Sequence, residues 1–263
     1  MPRPLLLPLD VKLMNTLSGV LGLVFAVMVL MLGGEWLMRQ PLFNLSAIHV
    51  GGDLMHNNVA TLRANVASKL AGNFLTVDLQ AARAAFETAP WVRRAVVQRE
   101  FPNRLKVVLL EHKAVAYWGA EGDSRLVNTV GEVFEANPGD VETEELPVLN
   151  GPKGQAPQVL EAYHALAPLF EEMDTVLEQL QLREQGSWRA QLDSGAVIEL
   201  GHGSLTEVEA RTRRFIDTVT QVSSRFGRDV ESADLRYTSG YALKLRGVTT
   251  GDVDDKVEED KKR

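Results

Sequence analysis

No cysteine occurs in the 263 residues of this chain. That absence removes disulfides, thiolate metal sites, iron–sulfur ligands and thiol nucleophiles, so any folded body is held by its core. Positive charge is also in deficit: 28 Lys and Arg stand against 35 Asp and Glu, a net charge of −7, which argues against a nucleic-acid partner. The five histidines, at 49, 56, 112, 164 and 202, follow no metal-ligand spacing, so neither a metal nor any other cofactor is expected. Gly201-His202-Gly203 lacks the Lys-Ser/Thr signature of a phosphate loop and reads as a turn. No Gly-x-Ser-x-Gly elbow or Ser-x-x-Lys motif stands in a fitting context. Carboxylates cluster at Glu142, Glu144 and Glu145 and at Glu171 and Glu172, where solvated loops or helix ends are expected. Nothing in this inventory points to an enzyme.

Long apolar runs are absent too, with one exception. Leu13 to Gly34 carries no charge, and at 1.5 Å per residue it reaches about 33 Å, enough to cross a bilayer once. A signal-peptide core is usually ~7–15 residues long and ends in a small-x-small site. This run is longer and passes into Glu35-Trp36-Leu37-Met38-Arg39, with Trp36 placed as an interfacial anchor. A retained membrane helix over residues 13–34 is therefore expected, behind a short cytoplasmic stub at 1–12 that holds Arg3 and Lys12. The large body then lies outside the cytoplasm. Its size exceeds the ~100–150-residue mode for one domain, so two small domains are expected.

Periodicity organises the first of these. Phe43, Leu45, Ile48 and Val50 suggest a strand ended by Gly51-Gly52. Asn57 and Asn58 offer an N-cap to a helix with Val59, Leu62, Val66 and Leu70 on one face, stopped by Gly72. Asp78 caps a second helix bearing Leu79, Ala82 and Phe86, and Pro90 ends it. Strands at Ala95–Phe101 and Leu105–Glu111 follow, joined through Pro102-Asn103-Arg104. The order β-α-α-β-β over residues 41–112 makes a small α+β layer of two helices on a sheet. Arg93, Arg94, Arg99, Arg104 and Lys106 gather on or beside its hairpin. They read either as the solvated side of a half-buried sheet or as a patch facing a partner or lipid.

Residues 113–246 change character. Short strands are expected at Ala116–Gly119, Arg125–Asn128 and Val133–Ala136, with a hairpin at Gly131, and then a Pro/Gly-rich connection from Pro147 to Pro157. A helix covers Val159 to Glu172, which Pro168 should kink or shorten. Strands follow at Leu180–Glu184, Trp188–Leu192 and Ala196–Leu200. Thr206-Glu207-Val208-Glu209 reads as the capping box of a long helix, with Val208, Phe215, Val219, Val222 and Phe226 on one face before Gly227. Ala233–Tyr237 and Tyr241–Arg246 form a closing hairpin around Thr238-Ser239-Gly240. Residues 247–263 are a charged tail expected to be disordered.

The segment from Ala89-Pro90-Trp91-Val92-Arg93-Arg94-Ala95 through Val97-Gln98-Arg99-Glu100-Phe101-Pro102-Asn103-Arg104-Leu105 resembles the POTRA domain of the FtsQ/DivIB family of bacterial cell-division proteins. Leu126-Val127-Asn128 with Gly131-Glu132-Val133-Phe134, Leu146-Pro147-Val148-Leu149, and Asp234-Leu235-Arg236-Tyr237 with Gly240-Tyr241-Ala242 fit the same family in order and spacing. The resemblance implies an α+β protein with one N-terminal transmembrane helix, a β-α-α-β-β POTRA domain and a mostly antiparallel β domain with flanking helices. It implies a single-pass inner-membrane protein, concentrated at the septum, with its body in the periplasm. It further implies a divisome scaffold without catalysis that links early to late division proteins and binds the FtsB–FtsL pair, among other partners such as FtsK, FtsW, FtsI and FtsN. The chain departs from the family pattern at Ala114, where proline is common, and at Leu245, where some members carry tryptophan.

The family's partner FtsB adds a strand to the last strand of the β domain. The residues here agree: Tyr241, Leu243 and Leu245 alternate with Ala242, Lys244 and Arg246, giving one packing and one polar face. The expected partner-binding residues are Tyr237, Ser239, Gly240, Tyr241, Leu243 and Leu245, with Arg93, Arg94, Arg99 and Arg104 as a POTRA surface. The rival functions are a POTRA-containing envelope assembly or secretion factor and an anchored periplasmic chaperone. An assembly factor of that kind needs a C-terminal transmembrane barrel, and no stretch of this sequence supplies one.

Overall fold

The structure, a computed structural model, describes residues 9–38 and 43–247, apart from 53, 59, 61, 63, 65, 67–72, 120–122, 142–145, 227, 238 and 239. The capping helix-face positions Val59 and Leu70, the stops at Gly72 and Gly227, Ser239 and the charged tail beyond Gly247 thus lie outside the described residues. The chain divides into two compact units, Met1–Glu111 and His112–Arg263.

In the first unit, helix α1 runs over Leu9–Met38. Within it Leu13–Trp36 has a mean hydropathy of 2.3 and none of its most apolar window is buried in protein, so it is long and apolar enough to cross a bilayer once. The small sheet contains β1 (Ala47–Gly52), β2 (Val92–Glu100) and β3 (Arg104–Glu111), in the order β1-β3-β2. β1 runs parallel to β3 and β2 antiparallel to it. A parallel pair needs a crossover, which the helical segment between β1 and β2 supplies. Asn58 starts that segment by accepting from Ala60 N at 2.9 Å, and its face carries buried Leu62 and Val66. Helix α2 (Leu79–Phe86) starts at Asp78, whose carboxylate accepts from Gln80 N at 2.8 Å and Ala81 N at 3.1 Å. Phe86 is fully buried with Leu62, Val66, Ala95, Val107 and Leu109. At Gly52, with φ +111°, a Cβ would lie 2.1 Å from Leu109 O, so only glycine lets β1 finish against the central strand.

One carboxylate stitches this unit shut. Glu111, the last residue of β3, is buried and accepts from Met55 N and His56 N at 3.0 Å and Asn57 Nδ2 at 2.6 Å. It also faces His56 Nδ1 at 3.2 Å, and the His56 ring stacks on Trp91 at 3.9 Å. Burial alone would raise its pKa, but these donors prevail and hold it below the ordinary carboxylate value.

The second unit is a nine-stranded mixed sheet in the order β12-β11-β10-β9-β8-β7-β4-β5-β6. Its strands are β4 (Ala114–Trp118), β5 (Arg125–Asn128), β6 (Val133–Glu135), β7 (Val148–Asn150), β8 (Leu177–Leu182), β9 (Ser187–Leu192), β10 (Val197–His202), β11 (Val230–Asp234) and β12 (Ala242–Leu245). Three neighbouring pairs are parallel, β4–β7, β7–β8 and β10–β11, and the others antiparallel. Helices α3 (Ala156–Glu171) and α4 (Leu205–Phe226) pack against the sheet and each other. Phe170, Leu166, Leu180, Ile198, Leu200 and Phe215 form the centre of that core. Asn128 organises the β5–β6 turn, accepting from Val130 N at 3.0 Å and Glu132 N at 2.9 Å while donating to Glu132 Oε2 at 2.8 Å.

Several elements differ from the sequence expectation. Val148–Asn150 is a strand inside the expected connection, because it pairs on both sides with residues far away in sequence. Pro168 sits in the last turn of α3 on its exposed side, and the helix continues to Glu171. The cap of α4 is Ser204 and not Thr206: Glu207 Oε2 accepts from Ser204 N at 2.8 Å, which places Glu207 at the third helical position. β11 begins at Val230, three residues earlier than expected, because its rungs to β10 lie at Ser232, Ala233 and Asp234.

Candidate partner-binding edge

β12 stands at the end of the nine-stranded sheet and, among the described residues, pairs with β11 alone. Its register is Ala242↔Asp234, Leu243↔Ala233, Lys244↔Ser232 and Leu245↔Val230, with an extra residue on β11 between Val230 and Ser232. Arg246 N donates to Asp229 O at 2.9 Å. Backbone direction alternates along a strand, so Ala242 and Lys244 bond toward β11 while the N–H and C=O groups of Leu243 and Leu245 face away from it. Side chains alternate as well: Ala242, Lys244 and Arg246 are exposed, Tyr241 and Leu243 half-buried, Leu245 buried.

The packing face is propped by α4. Tyr241 meets Phe215 edge-on with centroids 5.1 Å apart, and its hydroxyl lies 2.8 Å from Thr218 Oγ1. On the polar face Lys244 pairs with Glu231, and Arg246 Nη2 donates to Ser194 O at 2.8 Å. Arg236 clasps Asp234 through Nε to Oδ1 at 2.8 Å and Nη2 to Oδ2 at 2.6 Å. That clasp outweighs the cost of burial and holds the Asp234 carboxyl below its usual range.

Tyr237 is 57% exposed at the mouth of the turn. Beside it a cleft of about 240 Å³ is lined by Arg211, Arg214, Phe215, Thr218, Tyr237 and Tyr241, with Leu235 and Gly240 completing it. An adjoining hollow of about 380 Å³ shares Arg211, Arg214 and Tyr237 and adds His202, Glu207 and Arg236. Arg211 donates to the His202 and Glu207 carbonyls, and neither it nor Arg214 forms an ion pair among the described residues. The site therefore joins an open backbone edge to a cationic, tyrosine-rimmed trough. Tyr237, Gly240, Tyr241, Leu243 and Leu245 come together here; Ser239 lies outside the described residues. Arg211 and Arg214 were not singled out from sequence. They are polar positions on the back of a helix judged by its apolar face, and only the fold brings them beside a strand some 30 residues later.

The four POTRA arginines belong to the other unit and do not form one cluster. Arg94 lies opposite Leu110, and Arg104 opposite Glu100, at far ends of the β2–β3 ladder. Arg93 is half-buried. Arg99 is spent internally: Nε donates to Phe74 O at 2.8 Å, and Nη2 to Val77 O at 2.8 Å and Leu75 O at 3.3 Å, pinning the 74–77 loop. Among the described residues no three His, Asp or Glu side chains gather as a metal site.

Two family descriptions match the chain: "POTRA domain, FtsQ-type" over residues 43–112 and "Cell division protein FtsQ/DivIB, C-terminal" over residues 116–236. It is similar to the cell division protein FtsQ of Thiomonas arsenitoxydans, with 39% identity over 244 residues, covering 92% of this chain and 90% of that one. It is 37% identical over 240 residues to the Burkholderia pseudomallei protein of the same name, covering 91% and 94%. With the Bordetella pertussis protein, also called cell division protein FtsQ, it shares 35% identity over 254 residues, covering 90% and 92%.

Proposed function

The chain belongs to the FtsQ/DivIB family of bacterial cell-division proteins, and from that premise we propose that it is a non-catalytic divisome scaffold binding the FtsB–FtsL pair by strand addition to β12. The observation that carries this reading is the end position of β12, with the backbone groups of Leu243 and Leu245 directed away from β11. An added strand draws affinity from such groups and specificity from neighbouring pockets. Tyr237, Gly240 and Tyr241 flank the edge, Ser239 is a further contact expected from the sequence, and Arg211 and Arg214 offer charge to acidic residues of the incoming chain. α1 anchors the protein in the inner membrane with residues 1–12 cytoplasmic and the body periplasmic, concentrated at the septum, where FtsK, FtsW, FtsI and FtsN are its further partners.

The test is co-purification of FtsB–FtsL with the full chain carrying Leu243→Pro. Proline deletes an N–H that faces the partner and leaves the rungs to β11 in place. Binding is expected to be lost while circular dichroism stays that of the parent. A folded variant that still binds fully would refute strand addition. A fluorescent fusion spread evenly over the envelope, instead of gathering at midcell, would count against the divisome role itself.

A further inference from the structure

The small sheet has a second face that no helix covers among the described residues. Ala95, Val107 and Leu109 point into the core with Leu62, Val66 and Phe86, so their neighbours along β2 and β3 point the other way. That outer face carries Arg94, Val96, Gln98 and Glu100 from β2, and Arg104, Lys106, Val108 and Leu110 from β3. Val96 lies directly opposite Val108, and Leu110 one rung further, at 44%, 42% and 46% exposure. On the third strand Gly51 stands beside Val108 with open space where a side chain would project. The aliphatic strip is thereby left bare.

Charge on this face runs against the rest of the chain. The whole sequence has a net charge of −7, yet the strip is framed by the cations Arg94, Arg104 and Lys106. Among the described residues its one carboxylate, Glu100, is engaged with His49 at 3.2 Å. Long basic stems around half-exposed aliphatic groups form the pattern of a surface that rests at an anionic lipid headgroup layer. Chain connectivity supplies the second argument. α1 ends at Met38 and β1 begins at Ala47, so the sheet is tethered within about 30 Å of the end of that helix. Such a tether keeps the local lipid concentration high, and weak contacts then suffice for docking.

We propose that the outer face of the β1-β3-β2 sheet, through Val96, Val108, Leu110, Arg94 and Lys106, docks on the anionic phospholipid surface of the bilayer that α1 enters. Docking fixes the first unit against the membrane and leaves its helical face free. The step is reversible and driven by charge, so it weakens with salt.

The absence of cysteine makes the test clean. A spin label at Val108→Cys in the full chain, reconstituted singly in nanodiscs, reports access to oxygen against a water-soluble nickel chelate. The label occupies a half-exposed site and needs no core space; Leu110→Cys serves as a second position should the first disturb folding. In discs containing phosphatidylglycerol the label is expected to become oxygen-rich and nickel-poor. That signature should be lost in pure phosphatidylcholine, in high salt, and in the label carrying Arg94→Glu with Lys106→Glu. A label at Val176→Cys in the other unit should stay aqueous throughout. Aqueous values at both positions in the anionic discs would overturn the proposal. So would shielding that is the same in every lipid or persists in detergent alone, since that marks a protein partner or a second copy on this face.

Discussion

On β2 of the small sheet the outward N–H of Ala95 is already taken, by Glu87 Oε1 at 3.0 Å, whereas among the described residues no side chain takes the outward N–H groups of β12. Both strands end a sheet. The first is blunted by a carboxylate from the end of α2 that Arg83 holds at 2.8 Å, and by the Arg99 clamp further along. The second keeps its charges on the side, in the Lys244–Glu231 pair, and leaves the backbone bare. An uncovered strand invites pairing unless something blocks it. The protein blocks one edge with its own side chains and, among the described residues, leaves the outward N–H groups of the other without a side-chain acceptor, the contrast on which the proposed strand addition rests.

Four changes would break or sharpen that contrast. The largest effect is expected from Phe215→Ala, which removes the prop beneath Tyr241 and the core of the second unit. A buried Phe→Ala change costs about 3–5 kcal/mol, and urea unfolding followed by the second unit's tryptophans, Trp118 and Trp188, should show it. Glu111→Gln should cost about 2–3 kcal/mol in the first unit by weakening the charge-assisted bonds from residues 55–57. Its pKa is lowered in the folded chain, so the parent gains this stability at neutral pH and loses it as pH falls below about 4.5. The variant should lack that acid-side slope, and Trp91 fluorescence would follow it. Glu87→Ala should open the β2 edge for about 1 kcal/mol. Faster hydrogen exchange at Ala95 N–H is the measurement, and unchanged exchange would mean the edge is not blocked by this carboxylate. The smallest effect belongs to Thr218→Val, which deletes the hydroxyl contact to Tyr241 for about 0.5–1 kcal/mol. Exchange at the Lys244 N–H, which bonds toward β11, should quicken with little change in global stability.

The small sheet was legible in sequence because its signals are local. Asp78 is a cap, Phe86 and Ala82 share a face, and Arg104–Glu111 alternates strictly between exposed and buried. The second unit was less so. β7 has three residues between Pro147 and Gly151 and owes its existence to parallel pairing with β4 and β8, which no window of sequence contains. At α4 two Ser/Thr-x-x-Glu frames compete, Ser204…Glu207 and Thr206…Glu209, and the end of β10 at His202 decides for the first. The alternation of β12 was readable, as was the place of Tyr241. The cationic trough was not, since Arg211 and Arg214 join it only through the α4 crossover between two parallel strands.

The central strand of the small sheet is also its last in the chain. Within the sheet β1 and β2 pair only with β3, and the Glu111 carboxylate that fastens residues 55–57 closes the segment. A nascent polypeptide emerging from its N-terminus therefore holds β1 without a neighbour for more than fifty residues. It completes the first unit in a single late step, when 104–111 arrive.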